Sequence, residues 1–260
     1  MQVAVVGGTG SVGSLIVVEL AARGDAVRIL SRNPPAELPS GASHHRIDLA
    51  IGGAGLIEAF DGVEAVVDAS NDSSRKAGKV LVEGGRRIAD AEQEAGVRHH
   101  VAISIVGCDR VPVGYYRTKV AQERVVTESP VPWSLLRASQ FHTLVAYLFQ
   151  ASERYRIAPT GKALIQPIDP AIVAKRLAEA VHDGPGGRLP DIAGPKVETL
   201  TDLAHAWREH SDRRSIPLRL PMIGPVGRAL REGALTAPSA AAGGQTFEQW
   251  LSGQAPRGGS

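Results

Sequence analysis

A tyrosine and a lysine four positions apart are the residues best placed to do chemistry. The stretch GYYRTKVAQE puts Tyr115 and Lys119 in a segment with helical periodicity, where residues four apart share one face. A nearby ammonium favours the phenolate form of a tyrosine, whose pKa is otherwise about 10, and makes it a better acid near neutral pH. The spacing predicts that Tyr115 donates a proton with help from Lys119; Tyr116 is the alternative donor, and a packing role for the tyrosine is the alternative interpretation. Ser104, 11 residues before Tyr115, is predicted to orient the substrate oxygen.

Four glycines follow the first apolar run of the chain. The opening MQVAVVGGTGSVG reads as a short buried strand followed by a turn, and the next residues carry apolar side chains at helical spacing. Backbone amides at such a turn face outward and the helix N-terminus is partially positive, which suits a pyrophosphate. A tight turn without a ligand is the alternative. The predicted dinucleotide contacts in this turn are Gly7, Thr9, Gly10, Ser11, Val12 and Gly13.

The end of the second predicted strand bears on which dinucleotide binds. A carboxylate at this position would bind the ribose 2′-hydroxyl of NAD, but the sequence reads ILSRNPP and has none. Ser31 and Arg32 stand there instead, and a guanidinium suits a 2′-phosphate. The residues therefore predict NADP(H), with a surface arginine of no special role as the alternative.

Short apolar segments alternate with amphipathic ones over the first 150 residues. This alternation predicts βαβ units and a Rossmann-type, doubly wound parallel sheet of the α/β class. After Gln150 the pattern changes to short extended pieces separated by helices. We therefore expect a dinucleotide-binding domain over 1–150, a small interleaved substrate-side region over 151–251 and a disordered tail over 252–260.

The composition excludes several classes of protein. The formal net charge is +2 with acids and bases interspersed, so neither a nucleic acid nor a membrane is an expected partner. Cys108 is the only cysteine, which excludes an intrachain disulfide and fits a cytoplasmic location. No signal peptide is expected from the first residues. The adjacent pairs His44–His45 and His99–His100 flank strands and point to opposite faces, so no metal site is predicted.

Five stretches together resemble one known family. VVGGTGSVG, LSRNP, VAISIVG, YYRTKVAQERVV and PWSLLRASQF are similar to the NmrA-like, atypical branch of the short-chain dehydrogenase/reductases, over Met1 to about Pro195. The resemblance implies a Rossmann sheet with a small C-terminal substrate region. It implies that Lys119 also holds the nicotinamide ribose. It further implies that Asp48, with its neighbour Leu49, contacts the adenine, and that Ala69 and Ser70 line the path of the ribose and nicotinamide.

The residues and the resemblance together predict an enzyme. The expected reaction is NADPH-dependent transfer of hydride to a carbonyl, quinone or enone of a small apolar molecule. The alternative is a non-catalytic NADP(H)-binding redox sensor of the NmrA type, and epimerase, dehydratase or isomerase chemistry with the same cofactor remains open. The sequence does not predict an oligomeric state.

Overall fold

The computed structural model describes residues 1–51, 55–74, 77–211 and 214–254. The strands, in chain order, are β1 (Gln2–Val6), β2 (Ala26–Ser31), β3 (Ala42–Arg46), β4 (Ala65–Asp68), β5 (His99–Ile105), β6 (Trp133–Ala138), β7 (Ile157–Thr160), β8 (Leu164–Ile165), β9 (Gly187–Arg188), β10 (Glu198–Thr199) and β11 (Ile216–Arg219). The α-helices are α1 (Gly13–Ala22), α2 (Leu56–Phe60), α3 (Gly84–Ala95), α4 (Gly114–Thr127), α5 (His142–Glu153), α6 (Pro170–Asp183), α7 (Leu200–His210), α8 (Gly224–Arg231) and α9 (Phe247–Ser252). A π-helical segment, Gly78–Glu83, leads directly into α3, and a 3-10 turn covers Pro238–Ala240.

A sheet of seven strands in the described part of the chain has the order β3-β2-β1-β4-β5-β6-β9. The pairs of β1 with β2 and of β1 with β4 are both parallel, and Val5 lies opposite Ile29 on one side and Val67 on the other. This is the strand order of a Rossmann-type fold, which confirms the predicted fold class. The connection from β1 runs to one side of the sheet and that from β3 to the other. The carboxyl ends of β1 and β4 therefore flank the crevice where such sheets bind ligands.

Apolar residues explain why these strands lie at the centre. Val3, Val5 and Val67 have no exposed surface, as expected for strands covered on both faces. One cluster of buried side chains joins β1 and β4 to α2 and α3, through Phe60 and Ile88 among others. None of the helices in the described ranges is long and apolar enough to cross a bilayer.

The chain divides into two compact units whose segments alternate along the sequence. The first unit comprises Met1–Ser104, Gly114–Arg137 and Val173–Pro190, and the second comprises Ile105–Val113, Ala138–Ile172 and the described part of Asp191–Ser260. This division differs from the single boundary predicted at residue 150, because β9 pairs with β6 and so extends the central sheet. A two-residue strand is too short to give a periodicity signal, which is why the sequence did not reveal it.

The second unit has a small core of its own. The helices α5, α7 and α9 contribute Phe149, Trp207 and Phe247 to this core. Two short sheets accompany it, β7 with β11 in parallel and β8 with β10 in antiparallel pairing. In the segment predicted to be a disordered tail, α9 continues through Ser252, while residues 255–260 lie outside the described residues.

Candidate active site

Backbone contacts hold the glycine-rich turn between β1 and α1 closed. The Gly7 N–H donates to the Leu30 carbonyl oxygen (2.8 Å), and the Gly7 carbonyl accepts from the Gly10 N–H (2.9 Å). Gly7 has a φ of 73°, a conformation that glycine adopts without strain. A Cβ atom added at Gly13 would lie 2.2 Å from the Gly7 carbonyl oxygen, so α1 packs directly on the turn. The turn itself requires glycine at both ends.

The N-terminus of α1 offers amides to a ligand. Within the described residues, the backbone N–H groups of Thr9, Ser11 and Val12 donate to no protein acceptor. No side chain caps α1 at Val12, and the first turn of the helix has no acidic residue. Thr9, Gly10 and Ser11 are exposed. Amides without a protein acceptor at the positive end of a helix, with no acidic side chain near them, are the features of an anion site.

The tip of β2 has one side chain that is already hydrogen-bonded, Ser31, and one that is exposed to solvent, Arg32. The Ser31 hydroxyl donates to the Asn33 carbonyl (2.7 Å) and lies 3.1 Å from Nε2 of His44. Arg32 is exposed and forms no ion pair with any residue that the structure describes. The guanidinium is therefore available to a phosphate, whereas Ser31 would have to exchange its Asn33 contact for one.

Asp48 and Leu49 have fixed positions after β3. The Asp48 Oδ1 atom accepts a hydrogen bond from the Ala50 N–H (2.9 Å), which closes a short turn. Leu49 is buried against Gly84, and its carbonyl accepts from Nη1 of Arg87 (2.8 Å). Their contact with an adenine stays a prediction.

Ala69 and Ser70 lie directly behind the glycine turn. A Cβ atom on Gly7 would lie 2.8 Å from the Ala69 carbonyl oxygen and 3.0 Å from the Ser70 Cα, so the two segments touch through backbone. The Ala69 N–H donates to the Val6 carbonyl (3.0 Å). The buried Ser70 hydroxyl has no hydrogen-bond partner within the described ranges. Since buried hydroxyls are nearly always hydrogen-bonded, a ligand is the natural source of this missing partner.

Helix α4 carries Tyr115 and Lys119 one turn apart. The Tyr115 hydroxyl is within 2.8 Å of Oδ1 of Asn71, to which it donates, and its ring is half-buried. The Tyr116 ring lies 5.6 Å from the Tyr115 ring, centre to centre. Lys119 is only 3% exposed, and its ammonium donates to the Ile103 carbonyl (3.1 Å). The helix thus combines an accessible phenol with a buried cation.

Two polar side chains behind Lys119 were not foreseen from the sequence. The Lys119 ammonium also donates to Oε1 of Gln122 at 2.6 Å. Nε2 of Gln122 in turn donates to Oδ2 of Asp68 at 3.0 Å, and Oδ1 of Asp68 accepts from the Ser70 N–H at 2.9 Å. A signal for Gln122 was present, because it lies three residues after Lys119 on the same face of the helix.

Ser104 is engaged with the helix on which the tyrosine lies. Ser104 is 4% exposed, and its hydroxyl is hydrogen-bonded to the Glu123 carboxylate. Arg137 holds the same carboxylate through two contacts, of 2.7 and 2.6 Å. Burial raises the pKa of the Glu123 carboxyl, but the bonds from Arg137 and Ser104 outweigh burial and place that pKa below its usual range. The orienting role of Ser104 stays a prediction, and the hydroxyl would have to leave Glu123 to fill it.

Comparison with known proteins identifies the family. A family model described as NAD(P)H-binding matches residues 7–184, which include the glycine turn, the tip of β2 and α4. The chain belongs to this family. Membership of the NAD(P)H-binding family agrees with the resemblance read from the sequence and with the predicted dinucleotide cofactor.

Relatives of the chain include oxidoreductases. Quinone oxidoreductase 2 of Escherichia coli (strain K12) is 26% identical over 224 residues, 82% of this chain and 76% of that protein. An NADPH-dependent quinone oxidoreductase from Escherichia coli, crystallised with NADPH, has a TM-score of 0.78 at 19% identity, covering 96% of this chain and 99% of that one. A nucleoside-diphosphate-sugar epimerase from Staphylococcus aureus has a TM-score of 0.77 at 17% identity, with the same coverage of 96% and 99%. At these identities the two solved structures bear on the fold alone.

The chain's own residues fit the cofactor of the NAD(P)H-binding family. The turn leaves no room for side chains at Gly7 or Gly13, the amides at the start of α1 are open, and the Ser70 hydroxyl lacks a partner. These are three separate features that a dinucleotide would use. Among the described residues, no group of histidines, cysteines and carboxylates could hold a metal ion.

Proposed function

We propose that the protein is an NADPH-dependent oxidoreductase of the short-chain dehydrogenase/reductase type, reducing a carbonyl, quinone or enone of a small apolar molecule. The observation that carries this proposal is the placement of Tyr115 and Lys119 one turn apart on α4, in a family that binds NAD(P)H. The similarity to a quinone oxidoreductase supports a quinone as one substrate class.

Several side chains and amides of the chain would hold the cofactor. The amides of Thr9, Ser11 and Val12 would bind the pyrophosphate, and Ser70 would reach the ribose and nicotinamide side. Arg32 would pair with the 2′-phosphate, whose charge and geometry suit a guanidinium. NADPH supplies a hydride when it is bound.

Tyr115 has the proton that the reduced oxygen needs. The Tyr115 hydroxyl donates to Oδ1 of Asn71, with an oxygen–oxygen distance of 2.8 Å. In the reaction, this hydroxyl would turn from Asn71 to a substrate oxygen. The proton would then pass from Tyr115 Oη to that oxygen. Lys119 would stabilise the phenolate that Tyr115 leaves behind.

The experiment follows loss of NADPH absorbance with a panel of quinones, enones and aldehydes. We expect steady oxidation with at least one acceptor. Tyr115→Phe should lower kcat by about 10²- to 10⁴-fold, the usual contribution of a general acid, with little change in NADPH affinity. Tyr116→Phe is the matched control, since it removes the neighbouring hydroxyl from the same helix.

Each of the other outcomes decides against part of the proposal. Full activity of Tyr115→Phe together with a loss in Tyr116→Phe would make Tyr116 the donor. Tight NADPH binding with no turnover of any acceptor would favour the redox sensor over the enzyme. Equal affinity for NADH and NADPH would remove the role given to Arg32.

A further inference from the structure

The Lys119 ammonium lies where water reaches it poorly. Only 3% of the residue is exposed. A charged amine loses much of its hydration on burial, so protein groups must replace the lost hydrogen bonds to water. Two groups that provide this are the Ile103 carbonyl at 3.1 Å and the Gln122 carbonyl at 2.6 Å. The shorter of these two contacts is with the side-chain amide oxygen of Gln122.

The orientation of the Gln122 amide follows from the chemistry of its other neighbour. Asp68 is 2% exposed, and its carboxylate can only accept hydrogen bonds. The nitrogen of Gln122 must therefore point to Asp68, at 3.0 Å, and its oxygen must point to Lys119. The Ser70 N–H fixes the second carboxylate oxygen of Asp68 at 2.9 Å. Donation therefore converges on the Asp68 carboxylate, from Lys119 through Gln122 on one side and from the Ser70 N–H on the other.

From this geometry we propose that Gln122 and Asp68 are positioning residues for Lys119. Asp68 supplies a buried negative charge that orients the Gln122 amide. The amide oxygen of Gln122 then fixes the Lys119 ammonium on the face of α4 that carries Tyr115. This inference rests on the proposed function, because it gives Lys119 the role stated there. It adds two residues that act through Lys119 and do not touch the substrate.

Other ionisable groups lie around this chain of contacts. Burial raises the pKa of Glu92, while the adjacent Glu92 carboxylate outweighs the effect of burial on His100 and raises the pKa of that imidazole. Nδ1 of His100 lies 2.7 Å from Oε1 of Glu92, and the charge of Asp68 raises the pKa of both side chains. Among the described residues, the titratable groups that face this chain of contacts include Glu92 on α3 and His100 on β5, which interact with Asp68, and Tyr116 on α4, whose ring lies near that of Tyr115.

A purely structural role would have different consequences from a positioning role. If the amide only ties α4 to β4, its loss lowers the melting temperature and leaves the chemistry alone. If it positions Lys119, its loss also displaces the cation that lies one helical turn from Tyr115 on α4. The phenol then becomes a weaker acid, so its pKa rises and the alkaline limb of the pH–rate profile moves to higher pH.

The test compares Gln122→Met, of similar size and without the amide, with Val126→Ala as a control. Val126 is a buried residue of the same helix that packs against Ala102 and Leu135, so its truncation destabilises α4 without touching Lys119. Tyr115 ionisation is read without substrate, as the tyrosinate absorbance that is lost in Tyr115→Phe. The pH profile of kcat with NADPH and an active quinone is the second readout.

We expect Gln122→Met to raise the pKa of Tyr115 and to lower kcat by about ten- to a hundredfold, the size expected for a hydrogen bond to a charged group. Asp68→Asn should act in the same direction, because a neutral amide allows Gln122 to turn its nitrogen toward Lys119. Val126→Ala should lower only the melting temperature. An unchanged Tyr115 titration and pH profile in Gln122→Met would overturn the inference, whereas an unimpaired Tyr115→Phe enzyme would overturn the proposed function instead.

Discussion

Replacing Gly13 by alanine tests how tightly α1 packs on the glycine-rich turn that follows β1. The added methyl would lie 2.2 Å from the Gly7 carbonyl oxygen, 2.9 Å from the Gly7 carbonyl carbon and 3.0 Å from the Gly8 Cα. All three atoms belong to the backbone, so no side chain can rotate away. Because nonbonded carbon contacts are normally about 3.5 Å, the turn must open by about 1 Å.

The expected cost combines two opposing effects. Overfilling a packed site costs about 1–3 kcal/mol, and a clash with backbone belongs at the upper end of that range. Alanine is favoured over glycine within a helix by about 1 kcal/mol, which offsets part of this cost. The net loss is about 2 kcal/mol of unfolding free energy, or about 4–8 °C in Tm for a chain of this size.

Gly114→Ala is the matched control for this measurement. Gly114 is the first residue of α4, as Gly13 is of α1, but a Cβ atom on Gly114 would have no atom within 4 Å. We expect the Tm of Gly114→Ala to equal that of the unsubstituted protein or to be slightly higher. The assay is thermal unfolding followed by circular dichroism, together with titration of NADPH, whose affinity should fall in Gly13→Ala because the amides of the turn move. Equal Tm values for the two variants would refute the reasoning.

Two further predictions concern the cofactor and the response to pH. Arg32→Ala should weaken NADPH binding by about 10- to 100-fold, the value of a charge-assisted bond, and leave NADH binding unchanged; calorimetry that finds equal losses for both would contradict the 2′-phosphate role. Burial lowers the pKa of His142, which is fully buried and whose Nε2 donates to the Gln245 carbonyl at 3.1 Å. The unfolded chain therefore binds this proton first, and His142 makes unfolding easier as the pH falls below about 6.5. His142→Gln should flatten the fall of unfolding free energy with pH below that value in urea titrations, and an unchanged slope would assign the effect to other groups.

The sequence predicted the cofactor half of the site because that half is local. The glycines from Gly7 to Gly13 occupy one turn, and their spacing reflects backbone contacts within seven residues. The all-apolar β1 and the glycine that follows it locate the turn without any knowledge of distant residues. The helix carrying Tyr115 and Lys119 was predicted for the same reason, since its periodicity extends over several turns.

The chemical half of the site depends on contacts between residues distant in sequence. Asp68 and Gln122 are 54 residues apart, and their hydrogen bond exists because β4 and α4 are brought together by the parallel sheet. Spacing along the chain contains no information on such a pair. Ser104 was predicted from its place at a strand end, but its hydroxyl meets Glu123, which Arg137 also holds.

The buried contacts from Asp68 through Gln122 to Lys119 favour an ordered, charged Lys119 over a mobile one. An exposed lysine could approach a substrate from many directions, at the expense of side-chain entropy each time it is fixed. Here that entropy is lost on folding, because Ile103 and Gln122 already hold the ammonium. Tyr115, in contrast, has a half-buried ring, and its hydroxyl donates to the exposed Asn71. The group that moves in the proposed reaction is thus the phenol, whereas the cation one helical turn from it is preorganised. Preorganised charge lowers the barrier to forming a phenolate.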